Sequence, residues 1–207
     1  MKNIERRFLK VEVRAEEKED GMIIEGTPIV YDQETDIGWF REKIARGSAT
    51  NALKTSDIFL LFNHDSNKPL ARTKNGTLEA WEEEDGVHMR ADLSKSTLGP
   101  DMYKDIKAGL IDKMSFAFTV EKQTWIEEEG KSDLRIVDEI KELFDLSPVT
   151  YPAYQQTELV ARSAEGIAEE HKASTEVEDS EPSEPQADPV EALEPYELEI
   201  NQILGEI

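Results

Sequence analysis

The sequence predicts an α+β domain built on a sheet or barrel, followed by an acidic appendage. Three observations carry this. Apolar residues recur with period two in several short runs, the pattern of half-buried strands. The segments that read as helices between them are short, which is the α+β arrangement. The last fifth of the chain then changes composition. From Ala164 to Ile207 there are 14 acidic residues and one basic residue, Lys172, within a whole-chain total of 46 Asp+Glu and 24 Lys+Arg over 207 residues.

The elements follow in order. Leu9, Val11 and Val13 alternate with charged residues and read as a strand. Met22-Ile23-Ile24 leads to Gly26, and Pro28-Ile29-Val30-Tyr31 continues extended. Ser48 is placed to cap a short helix that runs through Leu53. Ile58–Phe62 is apolar throughout and reads as a buried strand. Leu78 and Ala80, then Val87, Met89, Ala91 and Leu93, form a hairpin around Glu84-Asp85-Gly86. Pro100 to Ala108 is a helix with proline in its first turn and Gly109 just past its end. Met114, Phe116, Phe118 and Val120 alternate in a further strand. Trp125 and Glu127–Lys131 mark a hairpin tip. Arg135 to Leu146 fits helix or strand. Strand is preferred, because β-rich neighbours need a partner and Ser147-Pro148 gives a stop.

The appendage contains Ser174–Pro185, rich in Pro, Ser and Glu with few apolar residues. Such a stretch cannot offset the entropy of ordering, so disorder is expected. Val190, Leu193, Leu198, Ile200, Ile203 and Leu204 then return in a loosely helical rhythm, either a weak amphipathic helix or a docking peptide. The expected division is a folded domain over 1–163 and an acidic tail over 164–207, carrying −9 and −13 of the total charge of −22.

That balance excludes function classes. A chain at −22 is a poor match for nucleic-acid phosphates or an anionic membrane surface. Cysteine is absent, which removes disulfides, thiolate metal sites and a cysteine nucleophile. No apolar run approaches about 18 residues, so no membrane-spanning helix is expected. Met1–Arg7 lacks the apolar stretch of a signal peptide.

Three residues stand out for chemistry. His64 immediately follows the apolar strand, where it can be held rigidly beside a cleft; a plain loop histidine is the alternative. Ser115 shares one strand face with Ala117 and Thr119, opposite Met114, Phe116, Phe118 and Val120, and the small Ala117 leaves its side open to a substrate carbonyl. A solvent-facing edge-strand serine would look the same. Asp145 lies between apolar residues and needs a partner, which a histidine or a turn would supply. Glu139 and Glu142 compete for its role. A serine hydroxyl is a weak nucleophile until a base takes its proton, and a carboxylate fixes the tautomer of that base. His64, Ser115 and one of these acids form such a set.

The chain resembles the prohead (capsid-maturation) proteases of tailed bacteriophages, of the herpesvirus-assemblin-like serine protease class, over about residues 1–163. The resemblance is carried by Arg7-Phe8 and the strand after it, Gly26–Tyr31, Phe40–Gly47, Leu61–Asp65, Lys107–Phe118 and Leu143–Tyr154. It implies a β-barrel-like core with surrounding short helices. It also implies a serine endopeptidase that cuts the scaffolding region of the major capsid protein, or a separate scaffold, and often itself, inside the immature capsid in the host cytoplasm. The catalytic histidine falls on His64 and the serine on Ser115. At the third position the family usually has Glu where this chain has Asp145, one methylene shorter, so the strand or the imidazole must sit closer. The herpesvirus relatives use a second histidine after the serine. His88 precedes Ser115 and His171 lies in the tail, so neither matches. Family members commonly carry Gly after the serine, and this chain has Phe116-Ala117. Backbone amides near Ser115 or Arg72 would receive the oxyanion, with a surface ion pair as the other use of Arg72.

No metal or organic cofactor is called for. The expected partners are the major capsid protein with its scaffolding region or a separate scaffold protein, and self-association is a further partner the class allows. Two competing functions are a non-catalytic assembly module with a protease-like fold and a hydrolase of small esters using the same three residues.

Overall fold

The structure is a computed structural model that describes residues 4–9, 13–18, 21–151, 166–169 and 171–172. Strands dominate it. In chain order they are β1 (Glu5–Leu9), β2 (Val13–Lys18), β3 (Gly21–Val30), β4 (Thr35–Asp36), β5 (Arg41–Ile44), β6 (Phe59–Leu61), β7 (Pro69–Arg72), β8 (Leu78–Glu82), β9 (Gly86–Asp92), β10 (Lys113–Ile126) and β11 (Leu134–Val149). The helices α1 (Thr50–Thr55) and α2 (Gly99–Lys107) are short. This is the mixed α+β, strand-rich architecture that the sequence predicts.

The strands form two sheets. One runs β1-β10-β11-β5-β4, with β6 pairing β11 and β7 pairing β6; the other runs β2-β3-β9-β8. Both sheets pack on a single core. Ile24, Ile29, Val87 and Met89 from the second sheet meet Met114, Phe116, Phe118, Val137 and Leu146 from the first. The described residues belong to one compact unit, Met1–Lys172.

The frame for the site is the β10–β11 hairpin, the longest strand pair. Its register aligns Ser115 with Ser147 and Ala117 with Asp145. On the other side of β10, β1 aligns Phe8 with Ser115 and Arg6 with Ala117. A parallel contact from β6, Phe59 against Asp145, brings the segment after β6 toward the same end of the sheet. Met114, Phe116 and Phe118 fill the core, as the period-two pattern requires. The opposite face of β10 is buried too: Ser115 is 0% exposed and Ala117 1%.

Several local expectations are corrected. The alternation read as one strand over Leu9–Val13 is divided between the end of β1 and the start of β2. Ser48 does not cap α1; Ala49 is the first flanking residue and no side chain caps it. Ser147-Pro148 does not stop β11, which continues to Val149 with Pro148 opposite Met114. The hairpin turn at Gly86 holds as read, and no side chain fits there, because a Cβ would lie 2.0 Å from the Ile29 carbonyl oxygen. Beyond the expected boundary at 163, residues 166–169 and 171–172 are helical, and Ile167 packs on Ile37 and Phe40. The acidic linker and the rhythm over 190–204 lie outside the described residues.

Candidate active site

His64 owes its position to an unusual backbone. After β6 the chain makes a single 3-10 turn, Phe62–His64, in which Asn63 and His64 have φ of 54° and 56°. Left-handed backbone is uncommon outside glycine, and asparagine tolerates it best. The turn is tied at both ends. The Asp65 amide donates to the Phe62 carbonyl and the Phe62 amide to the Lys68 carbonyl, both at 3.1 Å. Asn63 Oδ1 accepts from the Thr150 amide at 3.0 Å, which locks the turn to the end of β11. Strain of this kind persists only where surrounding contacts over-determine it, and it concentrates at working sites.

The imidazole thereby reaches both strands of the hairpin. His64 Nδ1 lies 2.6 Å from Asp145 Oδ1, and His64 Nε2 lies 2.6 Å from Ser115 Oγ. An ionised carboxylate only accepts, so Nδ1 carries the ring proton and Nε2 is left as the acceptor facing the hydroxyl. Side-chain exposure is 9% for His64 and 7% for Asp145. Water is largely excluded, which strengthens each of these interactions. The shorter aspartate suffices because β11 and the 3-10 turn bring it within direct bonding distance of the ring.

The other sequence candidates fall elsewhere. Glu139 accepts from Asn51 Nδ2 at 2.7 Å, and Glu142 lies opposite Thr119, farther along the hairpin. His88 bonds Asp85 and faces Thr27 on β3. His171 stacks on Trp125 at 4.1 Å. Arg72 is an ion-pair residue: its guanidinium is forked onto the Asp57 carboxylate and lies over the Phe59 ring.

Three participants escaped sequence reasoning. Ser147 is 0% exposed, and its hydroxyl donates to the same Asp145 Oδ1 that faces His64. Period-two alternation from Asp145 would have placed it on that face, had Ser147-Pro148 not been read as a terminator. Asn63 carried a signal that could have found it, since asparagine is the residue best able to take a left-handed turn before a histidine. The Arg7 carbonyl left no sequence signal; it lies 2.9 Å from Ser115 Oγ and accepts from that hydroxyl.

A second polar cluster lies on the other face of β1. Arg7 Nη2 pairs with Glu5 Oε2 at 2.6 Å and with Glu42 Oε2 at 2.7 Å. Arg135 Nη1 reaches Glu5 Oε2 at 2.6 Å and Glu42 Oε2 at 2.8 Å. All four residues are buried. Burial alone would raise the Glu5 pKa, but the hydrogen bond from Arg135 and the charges of Arg7 and Arg135 hold it below the ordinary range. For Arg7, burial would lower the pKa, and the charge and hydrogen bond of Glu42, then those of Glu5, raise it on balance.

The family model described as Caudovirus prohead serine protease matches residues 9–172. The solved structure of the bacteriophage T4 capsid assembly protease, gp21, is similar over 70% of this chain and 98% of its own, at 16% identity and a TM-score of 0.45. No curated protein matches the chain in sequence.

Proposed function

The chain belongs to the Caudovirus prohead serine protease family, and from that premise we propose that it is a serine endopeptidase whose nucleophile is Ser115, with His64 as general base and Asp145 as the acid that orients it. One observation carries the reading: a single imidazole bonds a serine hydroxyl through one nitrogen and a buried carboxylate through the other, each at 2.6 Å.

The chemistry follows from that placement. As Ser115 Oγ attacks the scissile carbonyl carbon, its proton passes to His64 Nε2 and the carbonyl π pair moves onto oxygen. Asp145 stabilises the imidazolium that forms and keeps the ring turned toward the serine. Collapse of the tetrahedral species breaks the C–N bond, and His64 gives the proton to the leaving amine. Water, activated by the same imidazole, then releases the acyl group. The hydroxyl proton has two acceptors at rest, His64 Nε2 and the Arg7 carbonyl. Attack needs it directed to the histidine.

The substrates proposed are the scaffold, or the scaffolding region of the major capsid protein, and the protease itself, inside the assembling prohead in the host cytoplasm. The division into a protease domain, expected over 1–163 with Ile167 still packed against it, and an acidic tail that directs the enzyme into the shell or is cut away later is part of this proposal. Family membership supports the capsid setting, and the hydrogen-bonded serine, histidine and aspartate support a catalytic rather than a purely scaffolding role. The test is co-expression with the capsid and scaffold proteins, with wild type and Ser115→Ala in parallel, and mass spectrometry of all chain ends. New termini should appear with wild type and vanish with Ser115→Ala, a loss on the order of 10⁶ in rate. Capsids that mature normally with Ser115→Ala would refute the reading.

A further inference from the structure

We propose that Arg6 is a catalytic residue whose guanidinium receives the negative charge on the scissile carbonyl oxygen. The inference rests on the serine-protease reading above and adds the group that reading lacks.

Strand alternation fixes where Arg6 faces. Glu5 and Arg7 turn into the buried ion cluster, and Arg7 also lies over the Phe118 ring. Arg6, between them, projects to the other face, which is that of Ser115 and Ala117. In the register Arg6 is directly opposite Ala117, which is opposite Asp145 on the next strand. Ser115 is therefore its diagonal neighbour, about 7–8 Å away between backbones and within reach of a long side chain. Ala117, which neighbours both of them on that face, carries only a methyl group.

Among the arginines whose side chains are described, Arg6 is also the one left without a carboxylate. Arg7, Arg41, Arg46, Arg72, Arg90 and Arg135 each pair with one or more acids. Arg6 is half-buried, and its Nε is buried with no hydrogen-bond partner among the described residues. A buried donor left unbonded lowers stability. In a chain with 46 acidic residues an acceptor would be easy to supply. An arginine kept unpaired beside the nucleophile is matched to an anion that exists only during reaction.

Nothing else described near Ser115 fills that role. Residues 114–117 pair with β1 on one side and β11 on the other, so the ladders engage their amides. Arg72 is held by Asp57. When the Ser115 Oγ–carbon bond forms and the π pair settles on oxygen, the N–H groups of Arg6 are the donors available to it. Collapse returns the pair to the carbonyl and frees them.

The experiment uses the full chain and a fluorescent fluorophosphonate, which labels an activated serine through an anionic phosphorus centre. Arg6→Ala should label about 10²–10³ times more slowly than wild type, with an unchanged melting temperature. Millimolar methylguanidinium should restore part of the rate, and tetramethylammonium, with the same charge and no N–H, should not. Arg6→Ala labelling within threefold of wild type would overturn the proposal, and so would equal rescue by both cations. If Arg6→Ala fails to fold, Arg6→Lys decides: folded and at least tenfold slower supports the guanidinium role, and the wild-type rate refutes it. Labelling that persists in Ser115→Ala would instead sink the serine reading itself, so the two failures are distinguishable.

Discussion

The sheet bearing the hairpin has two buried polar clusters on its opposite faces, and they are built to different rules. On the core face, Glu5, Arg7, Glu42 and Arg135 contribute two acids and two bases, and all four are bonded to opposite charges. On the other face, His64, Ser115, Asp145 and Ser147 are linked in a chain, but a single hydroxyl proton is shared between two acceptors. The first cluster has nothing left to offer a ligand. The second has a proton with two places to go and, beside it, an arginine donor with no partner among the described residues. Complete compensation suits a structural role for the first cluster, and incomplete compensation fits the catalytic role proposed for the second. Strand β1 joins them: the Arg7 side chain belongs to the first and its carbonyl to the second.

This contrast can be broken most forcefully at Glu42. Glu42→Gln leaves two guanidinium groups facing one carboxylate in a buried site, and removing one partner of such a cluster costs about 3–5 kcal/mol. Denaturant unfolding should show that loss, while fluorophosphonate labelling of the fraction still folded stays close to wild type. A stable Glu42→Gln protein with collapsed labelling would mean that the ion cluster serves the chemistry directly.

Acid should loosen the same cluster more gently. The folded-state pKa of Glu5 lies below the ordinary glutamate value of 4.5. Its contribution to stability is therefore fully present above that value and is lost as pH falls through the folded value. Unfolding midpoints measured from pH 6 downward should fall on entering that window, and Glu5→Gln should flatten the Glu5 share of the fall. An unchanged pH slope in Glu5→Gln would show that other carboxylates carry it.

The two clusters were not equally legible in the sequence. Period-two alternation over Met114–Val120 identified β10 and which of its faces holds Ser115, because side-chain direction in a strand depends only on local order. The positions of His64 and Asp145 were visible as polar residues set against apolar runs. Their meeting was not, since it depends on a left-handed turn at Asn63-His64 and on the β6–β11 contact, both of which need the tertiary fold. The ion cluster was invisible. Glu5, Arg7, Glu42 and Arg135 come from three strands separated by up to 130 residues, and in a chain this charged no local pattern separates them from surface charge. Ser147 was hidden differently: proline was read as a strand terminator, whereas here Pro148 sits inside the ladder opposite Met114.

Ser147 supplies the finest division between the clusters, because its removal should reverse the Glu42 result. Its hydroxyl holds Asp145 Oδ1 from the strand side while His64 holds the same oxygen from the loop side. The carboxylate is thus fixed between two donors, and the imidazole is aimed by an acid that cannot swing. Ser147→Ala removes a small group from a carboxylate that keeps its histidine partner, so the fold should lose little. A hydrogen bond to a charged group contributes about 1.5–3 kcal/mol where it is formed, and the part of that spent on aiming His64 should appear as a fall of roughly tenfold in kcat with KM unchanged. Ser147→Thr keeps the hydroxyl and should recover most of the rate; Ser147→Val has the same shape without it and should not. Equal activity of the threonine and valine variants would reduce Ser147 to a packing residue and confine the reactive cluster to His64, Ser115 and Asp145.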